Sequence, residues 1–242
     1  MLGSFSVGLA GRSGKLAGGF DPSTDSLTGW WRASYAPSTM PGVASAGSSS
    51  GRDLAVSADG DDLPAAGTAQ NGYDPATFTS DALESEAGDT LATFFTGAAG
   101  TLVVCALMPA ASATGGVFLD KALFAERNGV FILSFSTSGA QAGIYDGAQK
   151  TITQACSTAA YHLIAMRWDN TDLKLRVDQT DATPVSAGTI STLTSRLVVA
   201  KNPGVSFHNY SLLDAATYAS AVSDAKLDEW REYYNTRYAL AL

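Results

Sequence analysis

The segment of residues 160–180, AYHLIAMRWDNTDLKLRVDQT, constrains the fold of this chain more than any other. Apolar and polar side chains alternate along it, most clearly from Leu173 to Val177, with the period of a half-buried β-strand. The residues from Asp169 to Asp172 are typical of a turn between the two halves. The pattern predicts an antiparallel hairpin whose Leu and Val side chains face a core, while Lys174 and Arg176 face the other way.

Further short strands are indicated along the chain. TLVVCALMPA covers residues 101–110, GVFILSFST follows the turn dipeptide Asn128-Gly129, and SRLVVAKNP covers residues 195–203. Asp146-Gly147 is another tight-turn dipeptide. Many short strands joined by turns predict an all-β sandwich rather than a parallel sheet. The chain of 242 residues has the size of one large sandwich domain, which we assign to residues 21–242.

The end of the chain, SDAKLDEWREYYNTRYAL, carries the one clear helical pattern. Ser223 is a favourable N-cap for a helix over residues 223–239. Trp230, Tyr234 and Tyr238 recur at a spacing of four, so they form one aromatic stripe on the helix. We expect this stripe to pack on a sheet.

Trp30 and Trp31 stand side by side in a segment of small and polar residues, DSLTGWWRASYAPST. Adjacent residues on a strand point to opposite faces, so at most one of the two indoles enters a given core. We expect one indole in the sandwich core and the other near Trp230, Tyr234 or Tyr238. The alternative is an exposed indole that serves as a platform on which a sugar stacks.

Residues 1–20 form a Gly/Ser-rich stretch in which Arg12 and Lys15 are the only charges. Such a composition does not bury enough apolar area to offset the entropy of ordering the chain. We predict an extended N-terminal arm that docks on another subunit, with Arg12 and Lys15 as its docking residues. A frayed terminus is the alternative.

The charge of the chain limits its partners. Lys and Arg total 15 against 23 Asp and Glu, for a net charge of −8. An acidic protein repels phosphate backbones, so we expect no nucleic-acid partner. The sequence has no run of apolar residues long enough to span a membrane, and its N-terminus lacks the pattern of a secretory signal peptide.

The sequence contains no pattern that predicts an enzyme. His162 and His208 lie in different segments without a Ser or Cys motif beside them, so we expect both to be structural. Glu84 and Glu86 are the nearest approach to a pair of catalytic carboxylates, but we expect them at a strand end and in a loop. We also expect no cofactor.

The two cysteines, Cys105 and Cys156, lie among apolar or small residues. In a chain without an export signal, such residues are usually buried free thiols. A disulfide between them is an alternative that sequence spacing does not decide.

A polar loop, SADGDDLPAAGTAQNGYDPA, carries Asp59, Asp61 and Asp62. Carboxylates that converge from one loop are typical ligands of Ca²⁺, but the Glu that closes an EF-hand site is missing. We expect a solvated acidic loop, with a Ca²⁺ site as the alternative.

These motifs, in this order, resemble those of concanavalin A-like, laminin G-type jelly-roll domains. In that family a strand ending in Trp turns at a short Asp/Asn/Gly loop into a strand like LKLRVD, as in residues 160–180. NGYDPATFTSDALESE followed by GTLVVCALMPA is similar to the family's early strands, and YSLLDAATYASAVSDAKLDEWREYYNTRYAL is similar to its final strand and helix. The opening STDSLTGWWRASYA resembles lead-in segments of phage and bacterial surface proteins. The resemblance covers roughly residues 22–240 and departs from the family at Gln179, where many members have Gly.

The resemblance implies a jelly-roll β-sandwich with a C-terminal helix and with rim loops that bind sugars or Ca²⁺. It makes Asp169, Asn170 and Asp172 candidate ligand residues at the rim. The same residue types are also ordinary in a hairpin turn, and we expect that simpler role.

The resemblance and the lack of a catalytic set together favour a non-enzymatic virion protein that decorates a capsid or belongs to a head fibre or tail. Such a protein would dock through its arm on other virion proteins, form a homo-oligomer and project its sandwich, with a host-surface glycan as a further ligand. The alternative is a carbohydrate-binding module or glycosidase-like protein that acts on bacterial surface glycans. An adhesive domain of a cell-surface protein is a third reading, disfavoured because no secretion signal is visible.

Overall fold

The computed structural model describes residues 19–33, 40, 42–43, 45, 52–56, 64–79, 82–108, 115–120, 129–135, 139–190, 193–199 and 210–242. Within these ranges the protein is a jelly-roll β-sandwich of two antiparallel sheets with one long C-terminal helix, which confirms the predicted fold class. The docking residues Arg12 and Lys15, the acidic loop at Asp59, and His208 lie outside the described residues.

The larger sheet contains the predicted hairpin and the first strand of the fold. Among the described residues it has nine strands: β1 (Gly29–Arg32), β3 (Ala65–Ala66), β4 (Ala76–Phe78), β6 (Gly100–Leu107), β11 (Tyr161–Trp168), β12 (Asp172–Val177), β13 (Thr180–Asp181), β14 (Val185–Ser186) and β16 (Tyr210–Tyr218). Its order is β13-β12-β11-β6-β16-β4-β3, with β14 beside β12 and β1 beside β16.

The smaller sheet packs against the inner face of the larger one. Its seven described strands are β2 (Leu54–Val56), β5 (Leu83–Ser85), β7 (Gly115–Asp120), β8 (Gly129–Phe135), β9 (Gly139–Tyr145), β10 (Gln149–Gln154) and β15 (Leu197–Val199). Their order is β10-β9-β8-β7-β15-β5-β2. The turn between β9 and β10 lies at the predicted Asp146-Gly147, where Gly147 has a φ of +103° that favours glycine.

Strand β16 joins the early and late parts of the chain. Along one side it pairs with β6, and along the other it pairs first with β4 and then with β1. A bulge between Leu212 and Asp214 separates these two pairings and lets β16 serve both short strands.

The main core lies between the two sheets. The predicted hairpin faces it with Leu173, Leu175 and Val177, as the alternation requires. Strand β6 is buried along nearly its whole length because the smaller sheet covers one face and the helix covers the other. This explains why its sequence is a continuous apolar run without alternation.

The C-terminal helix spans Asp224–Tyr238, and Ser223 caps it by accepting a hydrogen bond from the backbone N–H of Lys226. Its buried side chains form a second core against the outer face of the larger sheet, which confirms that it packs on a sheet. Tyr233 joins the predicted aromatic stripe at 6% exposure. No helix within the described ranges is both long and apolar enough to cross a membrane.

Cys105 and Cys156 are separate free thiols. Cys105 is fully buried beneath the helix, in the second core. Cys156 is only half-buried, because it lies beyond the end of β10, at the margin of the main core. The expectation of two buried thiols therefore holds for Cys105 and is wrong for Cys156.

Candidate functional site

An open cleft of about 450 Å³ lies where the β11–β12 hairpin meets the start of the C-terminal helix. Its charged lining residues are Arg167, Asp169, Asp172, Lys174, Asp181 and Asp224. Trp168, Ala182, Pro184 and Val222 are among its apolar lining residues.

Strand alternation explains why Arg167 and Lys174 reach this cleft. Trp168 and Leu173 face the main core, so their neighbours Arg167 and Lys174 face the outer side of the larger sheet. The helix covers this outer face further along the sheet but begins only at Asp224, so the end of the hairpin stays open.

Arg167 holds the two sides of the cleft together. Its Nη1 donates a hydrogen bond to the carbonyl oxygen of Val222 at 3.0 Å, and its Nη2 lies 2.6 Å from Asp224 Oδ1. The same Nη2 is 3.7 Å from Asp181 Oδ1. The hydrogen bond from Arg167 and its positive charge lower the pKa of Asp224. Because the Arg167 side chain is only 8% exposed, these interactions are partly shielded from water and fix the cleft wall.

Two of the three rim candidates line the cleft. Asp169 Oδ1 accepts hydrogen bonds from the backbone N–H groups of Thr171 and Asp172, and the bond from Asp172 is the main cause of its lowered pKa. Asp172 Oδ2 lies 3.9 Å from Lys174 Nζ. Asn170 is not among the lining residues, and its Oδ1 accepts a hydrogen bond from Thr189. Asp169 therefore orders the turn and also presents a carboxylate to the cleft.

Four charged residues of the cleft were not among the site residues predicted from the sequence: Arg167, Lys174, Asp181 and Asp224. Alternation alone gives a signal for Arg167 and Lys174, since both fall on the non-core face next to the rim turn. Asp181 and Asp224 reach the cleft only because β13 folds back along β12 and the helix begins beside β11. Their position in the cleft therefore depends on tertiary structure and has no signal in the local sequence.

The tryptophan pair lies on two different faces of the larger sheet. Trp31 is in the main core, where its ring meets Phe94 edge-on with centroids 5.3 Å apart. Trp30 is in the second core, with its ring centroid 6.5 Å from that of Trp230 and 6.5 Å from that of Tyr233. Trp30 is 3% exposed and Trp31 is 0% exposed, so neither indole presents a ring face to a sugar.

Tyr234 and Tyr238 of the predicted stripe are also buried in the second core, with their rings stacked at 6.0 Å. Beneath them lies Asp214, which is fully buried. Its Oδ1 accepts a hydrogen bond from Trp30 Nε1 and its Oδ2 accepts one from Tyr238 Oη, both at 3.0 Å. Burial raises the pKa of Asp214 to about 7, although the charges of Arg32 and Arg237 oppose the shift. These residues are buried, and their hydrogen bonds connect β1 and β16 of the larger sheet to the C-terminal helix.

Other acidic residues considered from the sequence do not form a paired site. Glu84 is buried and lies 2.7 Å from Arg196, whereas Glu86 follows the end of β5 and is exposed. Within the described ranges, no three His, Cys, Asp or Glu residues converge in a way that would hold a metal ion.

Solved structures of botulinum neurotoxin binding domains are similar to this chain. For the binding domain of botulinum neurotoxin DC in complex with rat synaptotagmin II, the TM-score is 0.64 at 8% identity, over 86% of this chain and 52% of that one. For the serotype D/C VPI 5993 binding domain, the TM-score is 0.62 at 7% identity, with coverage of 86% and 52%. A third structure is of botulinum neurotoxin type C, whose cell entry is described as dependent upon interaction with two ganglioside molecules. Its TM-score is 0.55 at 7% identity, over 76% of this chain and 47% of that one.

No protein-family model matches the sequence, and no curated protein matches it. The chain spans about half the length of the neurotoxin domains. At such low identity the likeness concerns the fold alone. The assignment to laminin G-type domains stays a prediction, whereas the β-sandwich is the fold that this chain shares with the neurotoxin binding domains.

Proposed function

We propose that this chain is a carbohydrate-binding β-sandwich that holds a glycan in the cleft beside Arg167. The observation that carries the proposal is the cleft itself, whose volume of about 450 Å³ lies within the range of roughly 300–1,000 Å³ typical of ligand pockets. It is built on paired strands and a helix terminus and is braced by the Arg167 ion pairs, so its shape exists before a ligand arrives.

The chemistry of the cleft suits sugar hydroxyl groups. A hydroxyl both donates and accepts hydrogen bonds, and adjacent hydroxyls of a sugar ring pair well with the two oxygens of a carboxylate. Asp181 and Asp224 are 49% and 66% exposed, so their free oxygens are available as acceptors. Lys174 is 39% exposed and supplies mobile donors on the same wall.

The charge of the cleft indicates which glycans it would accept. Its lining contains four carboxylates, of Asp169, Asp172, Asp181 and Asp224, against the two cations of Arg167 and Lys174. This excess of negative charge disfavours acidic sugars such as sialic acid and favours neutral or amino sugars. The gangliosides named for the type C neurotoxin structure suggest glycans as the ligand class. The negative lining of this cleft favours glycans without acidic sugars.

A glycan array probed with the full chain tests the proposal. We expect binding to neutral or amino-containing oligosaccharides, including those of bacterial surfaces, and weak binding to sialylated ones. Calorimetry on the best ligand should then show that K174A lowers the affinity by about 10-fold or more, as for loss of a hydrogen bond to a charged group.

The matched control is K150A, because Lys150 lies on β10 of the other sheet and outside the cleft lining. This variant should bind as the unmodified chain does. Absence of binding across the array would contradict the proposal, and so would equal affinities for K174A and K150A. Preferential binding of sialylated glycans would contradict the charge argument alone.

A second candidate function is assembly into a virion through the Gly/Ser-rich residues 1–20. The favouring observation is that the first described residues are fastened to the helix: the ring centroids of Phe20 and Trp230 lie 5.1 Å apart, and Lys226 Nζ lies 3.2 Å from Asp25 Oδ2. The chain is therefore anchored beside this helix from Phe20 onward. Deletion of residues 1–18 should abolish co-sedimentation with particles of the same source while leaving folding and glycan binding intact. Unchanged co-sedimentation would exclude an arm-dependent role.

A further inference from the structure

We propose that Ser157, His162 and Asp178 form a hydrogen-bonded relay that makes Ser157 a nucleophile toward small carboxylic esters. Ser157 Oγ lies 3.1 Å from His162 Nε2, and His162 Nδ1 lies 2.7 Å from Asp178 Oδ2. A hydroxyl, an imidazole and a carboxylate in this order are the arrangement by which a serine is activated for acyl transfer. The site is separate from the glycan cleft and goes beyond the proposed function.

Local structure places the three side chains together. Ser157 lies in the connection between β10 and β11, His162 is the second residue of β11, and Asp178 follows the last residue of β12. Asp178 has a φ of +54°, and its Oδ1 accepts a hydrogen bond from the backbone N–H of Leu163 at 3.0 Å. The backbone thus fixes one carboxylate oxygen, while the other meets the imidazole. Asp178 is a positioning residue.

The hydrogen bonds specify the useful tautomer of His162. The Asp178 carboxylate accepts only from an N–H, so it holds a proton on Nδ1 and leaves the lone pair of Nε2 for the Ser157 hydroxyl. Nε2 also lies 2.9 Å from the carbonyl oxygen of Ser157, which accepts a hydrogen bond from Nε2–H when the ring is charged. Burial lowers the pKa of His162, but the hydrogen bond and charge of Asp178 outweigh it and leave that pKa raised. Both the neutral and the charged imidazole of His162 therefore have hydrogen-bond partners.

The solvent exposure of Ser157 and His162 fits their roles as nucleophile and general base. Ser157 is exposed and accessible to a substrate, whereas the His162 side chain is only 8% exposed. The neighbouring thiol of Cys156 is a weak competitor, because burial raises its pKa to about 11. Strand β11 separates His162 from Arg167 by five residues, or roughly 17 Å at about 3.4 Å per residue. The relay and the glycan cleft are therefore at opposite ends of this strand.

The proposed step is a transesterification followed by hydrolysis. Ser157 Oγ bonds to the ester carbonyl carbon while its proton passes to His162 Nε2; the bond from that carbon to the alcohol oxygen then breaks, and the leaving alcohol takes the proton. Water next adds to the acyl carbon with its proton passing to Nε2, and the proton returns to Ser157 as the acid leaves. No further reactant is needed.

The experiment measures hydrolysis of p-nitrophenyl acetate by the full chain and labelling by a fluorophosphonate, with the labelled peptide located by mass spectrometry. We expect hydrolysis above the buffer rate and a phosphonyl adduct on Ser157. S157A should lose the label and at least about 10-fold of the enzymatic rate, given the usual contribution of a positioned base. T158A, which removes the adjacent exposed hydroxyl, is the matched control and should keep both.

D178N provides a readout that a merely structural role would not move. Asp178 raises the pKa of His162, so without the carboxylate the acidic limb of the pH–rate profile, where the rate rises as His162 loses its proton, should shift to lower pH. The rate at its plateau should fall because the Nδ1 proton is no longer specified. Thermal unfolding of each variant confirms that it is folded. Equal rates for the full chain and S157A, an adduct on Cys156 instead of Ser157, or a D178N profile that matches the unmodified chain would overturn the proposal.

Discussion

Trp30 donates its indole N–H to Asp214, a residue 184 positions further along the chain. Trp30 belongs to the first strand of the larger sheet and Asp214 to its last, and the two strands are paired. Because Tyr238 donates to the other oxygen of Asp214, one buried carboxylate joins β1, β16 and the C-terminal helix. The outer layer of the fold is thus held by polar contacts inside an aromatic cluster.

Replacing either tryptophan by alanine should strongly destabilise the protein. W31A removes a fully buried ring from the main core and W30A removes one from the second core, so each should cost about 3–5 kcal/mol of unfolding free energy. Urea unfolding followed by circular dichroism measures the loss. W30F retains most of the apolar contact and should cost less than W30A. Unchanged stability of W30A would contradict the packing of Trp30 in the second core.

Protonation of Asp214 should stabilise the folded protein. Its folded pKa of about 7 lies above the ordinary value of about 3.9 for an unfolded chain, so the folded state binds the proton more tightly. The stabilisation is fully present below the ordinary value and is lost as the pH rises through about 7. Urea unfolding from pH 4 to pH 8 should show this decline in the unmodified chain.

D214N should remove the Asp214 part of this decline, because an amide does not titrate. His162 also has a raised pKa, so a smaller decline from that group should persist above its ordinary range. The exposed Asp74 offers a control, and D74N should follow the unmodified chain at every pH. A D214N profile as steep as that of D74N would contradict the assignment.

Loss of the helix N-cap should weaken the outer layer by a moderate amount. Ser223 accepts from the backbone N–H of Lys226 at 3.2 Å, and S223A leaves that donor without this acceptor. We expect S223A to lower the unfolding free energy by about 1 kcal/mol and S223G by only a few tenths. Thermal unfolding compares them directly. An S223A variant as stable as the unmodified chain would contradict the energetic role of this cap.

The core beside Trp168 should reject a single added methyl group. A Cβ at Gly100 would collide with the six-membered ring of Trp168, which Phe95 holds edge-on at 5.0 Å. G100A should therefore cost about 1–3 kcal/mol as an overpacked core. At Gly88 a Cβ meets nothing within 4 Å, so G88A should stay within about 0.5 kcal/mol of the unmodified chain. Similar stability for both variants would contradict the packing described at Trp168.

Local patterns in the sequence were sufficient for most of the architecture. The alternation from Leu173 to Val177 predicted the hairpin, and the spacing of the helix aromatics together with Ser223 predicted the helix within one residue at each end. These features are readable because each depends on residues close together in the chain. Cys156 was misjudged because small neighbours say little about burial at the margin of a core.

The candidate sites depend on contacts that no local pattern records. The rim turn identified Asp169 and Asp172, but Asp224 joins them only through its ion pair with Arg167 across the layers. No catalytic motif surrounds His162 in the sequence, although Ser157 and Asp178 are near it along the chain. Their convergence depends on the left-handed backbone of Asp178, which a non-glycine residue rarely adopts.

The position of β16 has a consequence for the order in which the protein is synthesised. Strands β1, β4 and β6 all take β16 as a partner, yet β16 begins only at Tyr210. A chain emerging from a ribosome therefore exposes three strand edges until β16 appears, and such non-local pairing makes folding slow. The meander from β7 to β10 has no such dependence, because each of its strands pairs with the next one along the chain. The smaller sheet can begin to form before β16 has been synthesised, whereas the larger sheet is completed only once β16 is available.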